Sequence, residues 1–352
     1  MAVKWSWAFG PETNTELDEM GWTLSDLNPS NITQSSTHLY TYPGDPSGRK
    51  SINLKRQQAI YAPNSAYGAE GWACVAFYCS DTFNEWGENY HAIKIYSAVT
   101  GKSIKIYSDV TTPNQTMILQ VDNTFDPSGS VTVTADDWHY IALQYSMTGT
   151  TWSARWYLDG APVGSLTTDA SVNPTTDEQI TLSMAGMSNQ NQLFTWYGQM
   201  TSYDDWNDDG SKPLYVTRVS PDTDLGAFTS GSWTPYGAAS NAQAVESPFG
   251  TSSYSSNSSI STGERLAVSA GGGTLAAKLN VGLSSVIYGV TNHAFVTGSG
   301  LSGTVGVGNT ATPGVYHTGS SIFPDTSDIT YGYSTSGSFT ATDSPVMIYE
   351  VE

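Results

Sequence analysis

The densest carboxylate cluster in the chain is Tyr203-Asp204-Asp205-Trp206-Asn207-Asp208-Asp209-Gly210. Four Asp side chains, an Asn and a Gly that permits a tight turn make the hard-oxygen set that Ca²⁺ prefers. The alternating ligands and terminal Glu of an EF-hand loop are missing. Calcium at Asp204, Asp205, Asp208 and Asp209 therefore competes with a solvated turn held by Asx capping, and the turn is the stronger reading. Aromatic rings sit near polar groups at Trp86, Tyr90, Trp196, Tyr203 and Trp206. Sugar recognition stacks Trp and Tyr faces on pyranose C–H surfaces while Asp and Asn bind hydroxyls, so Trp206, Tyr203 and Trp86 are the candidate glycan-binding residues. Most of the 11 Trp residues are expected in a core, where aromatics bury large areas; Trp206 is the expected exception because it lies inside the acidic turn.

Catalytic constellations are not found. A retaining glycosidase needs two carboxylates about 5 Å apart, which alternate positions on one strand can supply. In Glu16-Leu17-Asp18-Glu19 the last Glu is displaced by one residue and would point away, and Glu85-Trp86-Gly87-Glu88 has the wrong spacing. The five histidines, His38, His91, His139, His293 and His317, are scattered, and His139 reads as a hydrogen-bonded structural residue. No Ser occupies a nucleophile elbow. Gly298-Ser299-Gly300-Leu301-Ser302-Gly303 mimics a dinucleotide fingerprint, but no helix follows it, so it reads as a loop. No catalytic residue and no cofactor are expected, calcium being the one alternative.

These groups must be positioned by strands. The chain is rich in Gly, Ser, Thr and aromatics, only 13% of its residues are charged, and no window sustains a 3.6-residue apolar period. The clearest element runs from Trp138 to Gly164. There His139, Ile141, Leu143 and Tyr145 share one face of a first strand, and Trp152, Ala154, Trp156 and Leu158 share one face of a second. A Gly149-Thr150-Thr151 connection joins them, and Asp159-Gly160 makes a tight turn. Further strand candidates are Ala73–Tyr78, His91–Tyr96, Ser103–Tyr107, Met117–Val121, Ser130–Val133, Gln179–Met184 and Phe194–Ser202. Turn clusters at Tyr42–Gly48 and Asp126–Gly129 separate them. Cys74 and Cys79 fall on one strand about 17 Å apart and cannot bridge each other.

The order Trp138-His139, Ile141-Ala142-Leu143, Tyr145, then Tyr157-x-Asp159-Gly160-x-x-Val163-Gly164 resembles the central hairpin of the concanavalin A-like (laminin-G/pentraxin-type) lectin superfamily. The resemblance implies a jelly roll of two curved antiparallel sheets. Members bind glycans, cleave them or serve as spacers, so fold alone does not settle function.

Composition shifts after the acidic string. From Val219 onward only Arg265 and Lys278 are basic, and alternation returns in Arg265–Ser269, Ala277–Val290 and Val346–Val351. The expected organisation is all-β: a jelly-roll domain over residues 1–206, an acidic linker over 207–212 and a second, smaller antiparallel β-sandwich over 213–352. The segment Thr251–Ser259 reads as a surface edge, because Tyr254 is flanked by Phe249 and Ile260. Asp204-Asp205-Trp206-x-Asp208-Asp209-Gly210, Tyr215-Val216-x-Arg218-Val219-x-Pro221, Trp233-Thr234-Pro235, Asn241-x-x-x-Val245-Glu246 and Thr251-x-x-Tyr254-x-Ser256 are similar to a family of tailed-bacteriophage virion proteins. The opening Trp5-x-Trp7, Glu16-Leu17 and Gly21-Trp22-Thr23 resembles their starts. What that implies is an exposed virion component, a capsid decoration, head fibre or tail appendage, working as a homo-oligomer beside other virion proteins with weak adhesion to a host-surface glycan. The alternative is a stand-alone carbohydrate-binding or carbohydrate-active protein.

The net charge of −19, from 32 acidic and 13 basic residues, argues against a nucleic-acid partner, since phosphate binding needs a basic footprint. The first residues carry no apolar signal region and no segment is long enough to cross a bilayer, so synthesis in a cytoplasm and no membrane insertion are the expectations; the phage resemblance implies that this cytoplasm is a host's and that the location is the virion surface.

Overall fold

The computed structural model describes residues 3–9, 17, 22–24, 33–42, 45–54, 58–63, 68–79, 91–97, 100–108, 116–170, 180–185, 195–203, 216, 221–245, 254–259, 261–269, 286–296, 303–309, 316–322, 330–336, 339–340 and 342–351. Two compact units result, one containing Val3–Tyr42 and Ser47–Val216 and the other Thr217–Glu352. Both are built from antiparallel strands. The expected linker, 207–212, lies outside the described residues.

In the first unit the larger sheet runs in the order Ala161–Asp169, Trp152–Leu158, Trp138–Ser146, Glu70–Cys79, Thr195–Tyr203, Asp45–Leu54, Thr33–Tyr42, and Val3–Ala8 pairs with Thr195–Tyr203 off this path. The smaller sheet runs Thr124–Thr132, Thr116–Val121, Ser103–Ser108, His91–Ser97, Ile180–Ala185, Ala59–Tyr61, Thr23–Leu24. The first unit is therefore a two-sheet antiparallel β-sandwich.

Alternation decides which side chains fill it. His139, Ile141, Leu143 and Tyr145 are buried together with Trp152, Ala154, Trp156 and Leu158. The register Ile141↔Leu158, Leu143↔Trp156, Tyr145↔Ala154 places them on one face. From the smaller sheet Ile93, Ile95, Ile104, Ile106, Leu119, Val121 and Leu182 are buried without measurable exposure. Two side chains of the larger sheet reach backbone carbonyls of the smaller one. Tyr197 Oη donates to Ala185 O at 2.8 Å and Ala92 O at 3.0 Å, and Trp156 Nε1 donates to Gly129 O at 3.3 Å. Trp5 and Trp7 pair with Ser202 and Met200 and are buried, with Trp22 packed 5.4 Å from Trp5. The Asp159-Gly160 turn has φ of 53° and 83°, the paired positive values that a two-residue hairpin needs to match strand twist.

Three local expectations change. The expected turn cluster 42–48 is partly strand, since Thr33–Tyr42 ends at its first residue and Asp45–Leu54 begins inside it. Asp126–Gly129 is not a turn between strands but lies within Thr124–Thr132, where the register shifts between Phe125 and Ser130. Pro127 has no amide to donate, and a bulge absorbs that loss without ending the strand. In the second unit the expected strand Ala277–Val290 lies outside the described residues as far as 285; 286–289 are irregular, and a strand runs Val290–Val296.

The second unit is smaller and likewise built of antiparallel sheets. Its main sheet is ordered Thr223–Asp224, Arg265–Ser269, Pro345–Val351, Gly303–Asn309, Tyr316–Ile322. Val290–Val296 pairs with Thr330–Ser336, and Thr234–Tyr236 with Tyr254–Ser256, which puts the expected edge segment into a short ladder. Leu266, Val268 and Met347 pack with Ala242 on one side of the main sheet, and Ala267, Val346 and Ile348 with Leu225 and Phe228 on the other. Ala242 comes from a one-turn helix, Asn241–Ala244, whose N-cap Ser240 Oγ accepts from Gln243 N at 3.2 Å.

Candidate functional site

The face of the larger sheet that points away from the smaller one carries the chemistry. Residues across its strands form rows: Tyr203, Trp72, Gln144, Arg155; then Thr201, Cys74, Ala142, Tyr157; then Gln199, Ala76, Tyr140; then Tyr78, Trp138. Small side chains, Cys74, Ala76 and Ala142, make the floor of this grid, and aromatic rings surround them. Trp72, Cys74, Ala76, Tyr140, Ala142 and Tyr203 form a buried cluster against which Trp138 and Tyr157 pack while half-exposed. Trp72 and Tyr157 have ring centroids 5.6 Å apart, as do Tyr78 and Trp138. Tyr78, Trp138 and Tyr157 are thus half-buried along one rim.

Polar groups flank the rings. Arg155 is exposed, its guanidinium carbon lies 5.8 Å from the centre of the Tyr157 ring, and its Nε donates to Gln144 Oε1. Tyr78 Oη donates to Asp136 Oδ1 at 3.4 Å. Inside the grid, burial pushes the Cys74 thiol up to about 12. Burial likewise raises the Tyr140 phenol well above its ordinary range. A thiol and a phenol so strongly protonated are packing groups and not nucleophiles.

His139 locks the strand that carries this face. Its Nδ1 lies 2.8 Å from Asp159 Oδ2 and its Nε2 3.0 Å from Thr134 O. Both partners are acceptors, so only the doubly protonated ring satisfies both. Burial lowers its pKa, but the Asp159 carboxylate, the Thr134 carbonyl and the Asp137 charge together carry it above its ordinary value. Asp159 Oδ1 also accepts from Tyr140 N at 2.8 Å. His91, the other histidine with a described side chain, is buried with Nε2 2.8 Å from Ser183 Oγ.

Of the sites expected from sequence, Asp204, Asp205, Asp208, Asp209, Trp206 and Trp86 lie outside the described residues. Tyr203 departs from its expected role as a stacking face. It is 2% exposed, because pairing with Trp72 puts its ring in the buried cluster. Among the described residues no group of three or more His, Cys, Asp or Glu could hold a metal ion. The sequence reading missed Tyr78, Trp138, Tyr157 and Arg155 as surface groups. The signal was present: placing 139, 141, 143 and 145 in the core leaves 138, 140, 142 and 144 for the opposite face, with 155 and 157 beside them.

No family model matches the chain, and no curated protein matches it. Solved structures similar to it include a carbohydrate esterase of the Shiga toxin-encoding bacteriophage phi24B (12% identity, TM-score 0.37, over 58% of this chain and 99% of that one). The catalytic domain of a glycoside hydrolase family 131 protein from Coprinopsis cinerea is similar at 12% identity and TM-score 0.40, over 58% of this chain and 95% of that one. Peanut lectin is similar at 12% identity and TM-score 0.31, over 56% of this chain and 96% of its own. These neighbours are lectin-like β-sandwich domains that bind or act on carbohydrate, one of them from a phage.

Proposed function

We propose that the protein is a non-catalytic, glycan-binding β-sandwich displayed on the surface of a tailed-phage particle. The observation that carries the glycan reading is the rim of half-exposed Tyr78, Trp138 and Tyr157 on one sheet face, with Arg155, Gln144 and Asp136 as polar neighbours. Stacking on such rings is the usual way a sheet face holds a sugar, and charged groups at the rim give orientation. The virion reading rests on the sequence resemblance around the acidic string and the second module.

Two measurements test the proposal. Mass spectrometry of purified particles should find this chain, and its absence would end the virion reading. A glycan array read beside a reducing-sugar release assay should show binding without release. Failure to bind any glycan would remove the adhesion reading, and sugar release would replace it with a carbohydrate-active one.

A further inference from the structure

Among the described residues Arg155 is a cation placed without a carboxylate. The chain has 32 acidic residues against 13 basic ones, yet Arg155 makes no ion pair among the described residues. Lys102, by comparison, pairs with Asp122 at 3.3 Å, and His139 with Asp159 at 2.8 Å. What holds Arg155 is neutral: the Gln144 side-chain oxygen, which accepts from Nε, and the Tyr157 ring beneath the guanidinium. A guanidinium has five N–H donors, and the one on Nε is used. The donors on the two Nη atoms remain, on an exposed side chain whose plane the ring and Gln144 fix.

A fork held in this way is shaped for a planar two-oxygen acceptor. Bidentate carboxylate recognition uses parallel N–H···O bonds and is stronger and more directional than a lysine point charge would give. The fork also adjoins stacking surface. Arg155 and Tyr157 are two residues apart on one strand face, and Tyr157 is the cross-strand partner of Ala142. Trp138 lies four residues before Ala142 on the same strand face, about 13 Å along it. A saccharide running from Trp138 toward Tyr157 would bring its next substituent to the guanidinium. The surrounding net charge of −19 repels polyanions in general, so an acidic ligand held here is held by local geometry.

We infer that the rim site selects an acidic saccharide, one carrying a uronic-acid-type carboxylate, with Arg155 as the carboxylate receptor, Tyr157 as the support of its guanidinium and Trp138 as the stacking platform. This rests on the glycan-binding reading above and names its substrate class.

The test compares polygalacturonate with the same polymer after methyl esterification, which keeps the sugar backbone and removes the charge. Binding of the full chain is measured by affinity electrophoresis and calorimetry at physiological salt, with dextran sulfate as a third ligand. Wild type should bind the free acid at least tenfold tighter than the ester. Arg155→Met should abolish that discrimination, and Arg155→Lys should restore less than a tenth of it, because the charge returns without the fork. Arg155→Met takes the Nε donor from the buried Gln144 oxygen, so its Tm should fall by a few degrees while a single cooperative melt shows that both variants remain folded at the temperature of the binding measurements.

Equal binding of acid and ester, or discrimination that survives in Arg155→Met, would overturn the inference. Tighter binding of dextran sulfate than of polygalacturonate would overturn the carboxylate assignment. If the ester binds as well as the acid and Trp138→Ala weakens both, the glycan reading stands and only the acidic class falls. If neither polymer nor any arrayed glycan binds, both readings fall together.

Discussion

His139 and Asp159 face each other across the central hairpin with Nδ1 and Oδ2 2.8 Å apart, and the same carboxylate receives the backbone amide of Tyr140 at 2.8 Å. One side chain thereby fixes a turn, a strand end and an imidazolium. Asp159 itself sits at φ 53°, a conformation that Asp tolerates better than most residues.

Stability should depend on pH through this pair. The folded-state pKa of His139 is raised, so its contribution is fully present below the unfolded value of about 6.5 and is lost as pH rises through the folded value. Chemical denaturation of wild type should show lower stability at pH 8 than at pH 6. His139→Gln should flatten that difference and lower stability at pH 6 by roughly 1–2 kcal/mol, the scale of charge-assisted hydrogen bonds. An unchanged pH dependence in the variant would show that another group sets it.

Gly164 and Gly149 share a left-handed conformation, with φ of 70° and 72°, but not their surroundings. A Cβ at Gly164 would collide with Asp126 Oδ2 and the Gly129 backbone, whereas one at Gly149 meets nothing within 4 Å. Asp126 is 7% exposed and already accepts from Ser165 N at 2.9 Å, so it cannot move aside cheaply. Urea unfolding should show a loss of about 1–2 kcal/mol for Gly149→Ala, the backbone cost alone. Gly164→Ala should lose roughly 3 kcal/mol or more, because overpacking is added. Equal losses would contradict the close approach of the two strands.

Cys74 should be inert in the folded protein. Its thiol has no measurable exposure, and burial pushes its pKa up to about 12. Alkylation with iodoacetamide at pH 8, read on the Cys74 peptide by mass spectrometry, should be negligible until denaturant is added. Rapid native labelling would mean that the floor of the aromatic grid opens.

Aromatic residues of the grid should divide into two behaviours. Trp72 is 1% exposed, so Trp72→Ala should cost about 3–5 kcal/mol of folding stability. Trp138 and Tyr157 are half-exposed; their Ala variants should stay folded and lose glycan binding several-fold, about 1 kcal/mol each. Thermal melts and array titration separate the two effects.

The acidic string Asp204–Gly210 reads as a solvated turn more readily than as a calcium loop. Adding a chelator should therefore leave the melting curve unchanged. A drop in Tm that calcium restores would establish the ion.

Alternating residues from Trp138 to Leu158 determined the hairpin, its buried face and its turn, because period two and the φ demands of Asp159-Gly160 are local properties. Local pattern also located most described strands of the first unit. It misjudged Asp126–Gly129, where a pairing partner, Thr116–Val121, carries the strand across a turn-like sequence. The stacking residues were harder to read. Tyr203 looked available beside the acidic string, yet register with Trp72 buries it. Arg155 carried no signal alone. Its meaning comes from Gln144 and Tyr157, one across the hairpin and one two residues along, which only the folded sheet brings against the same guanidinium. Sequence determined which side chains share a face. Tertiary structure decided which face is covered, because burial depends on what packs against a strand and not on the strand itself.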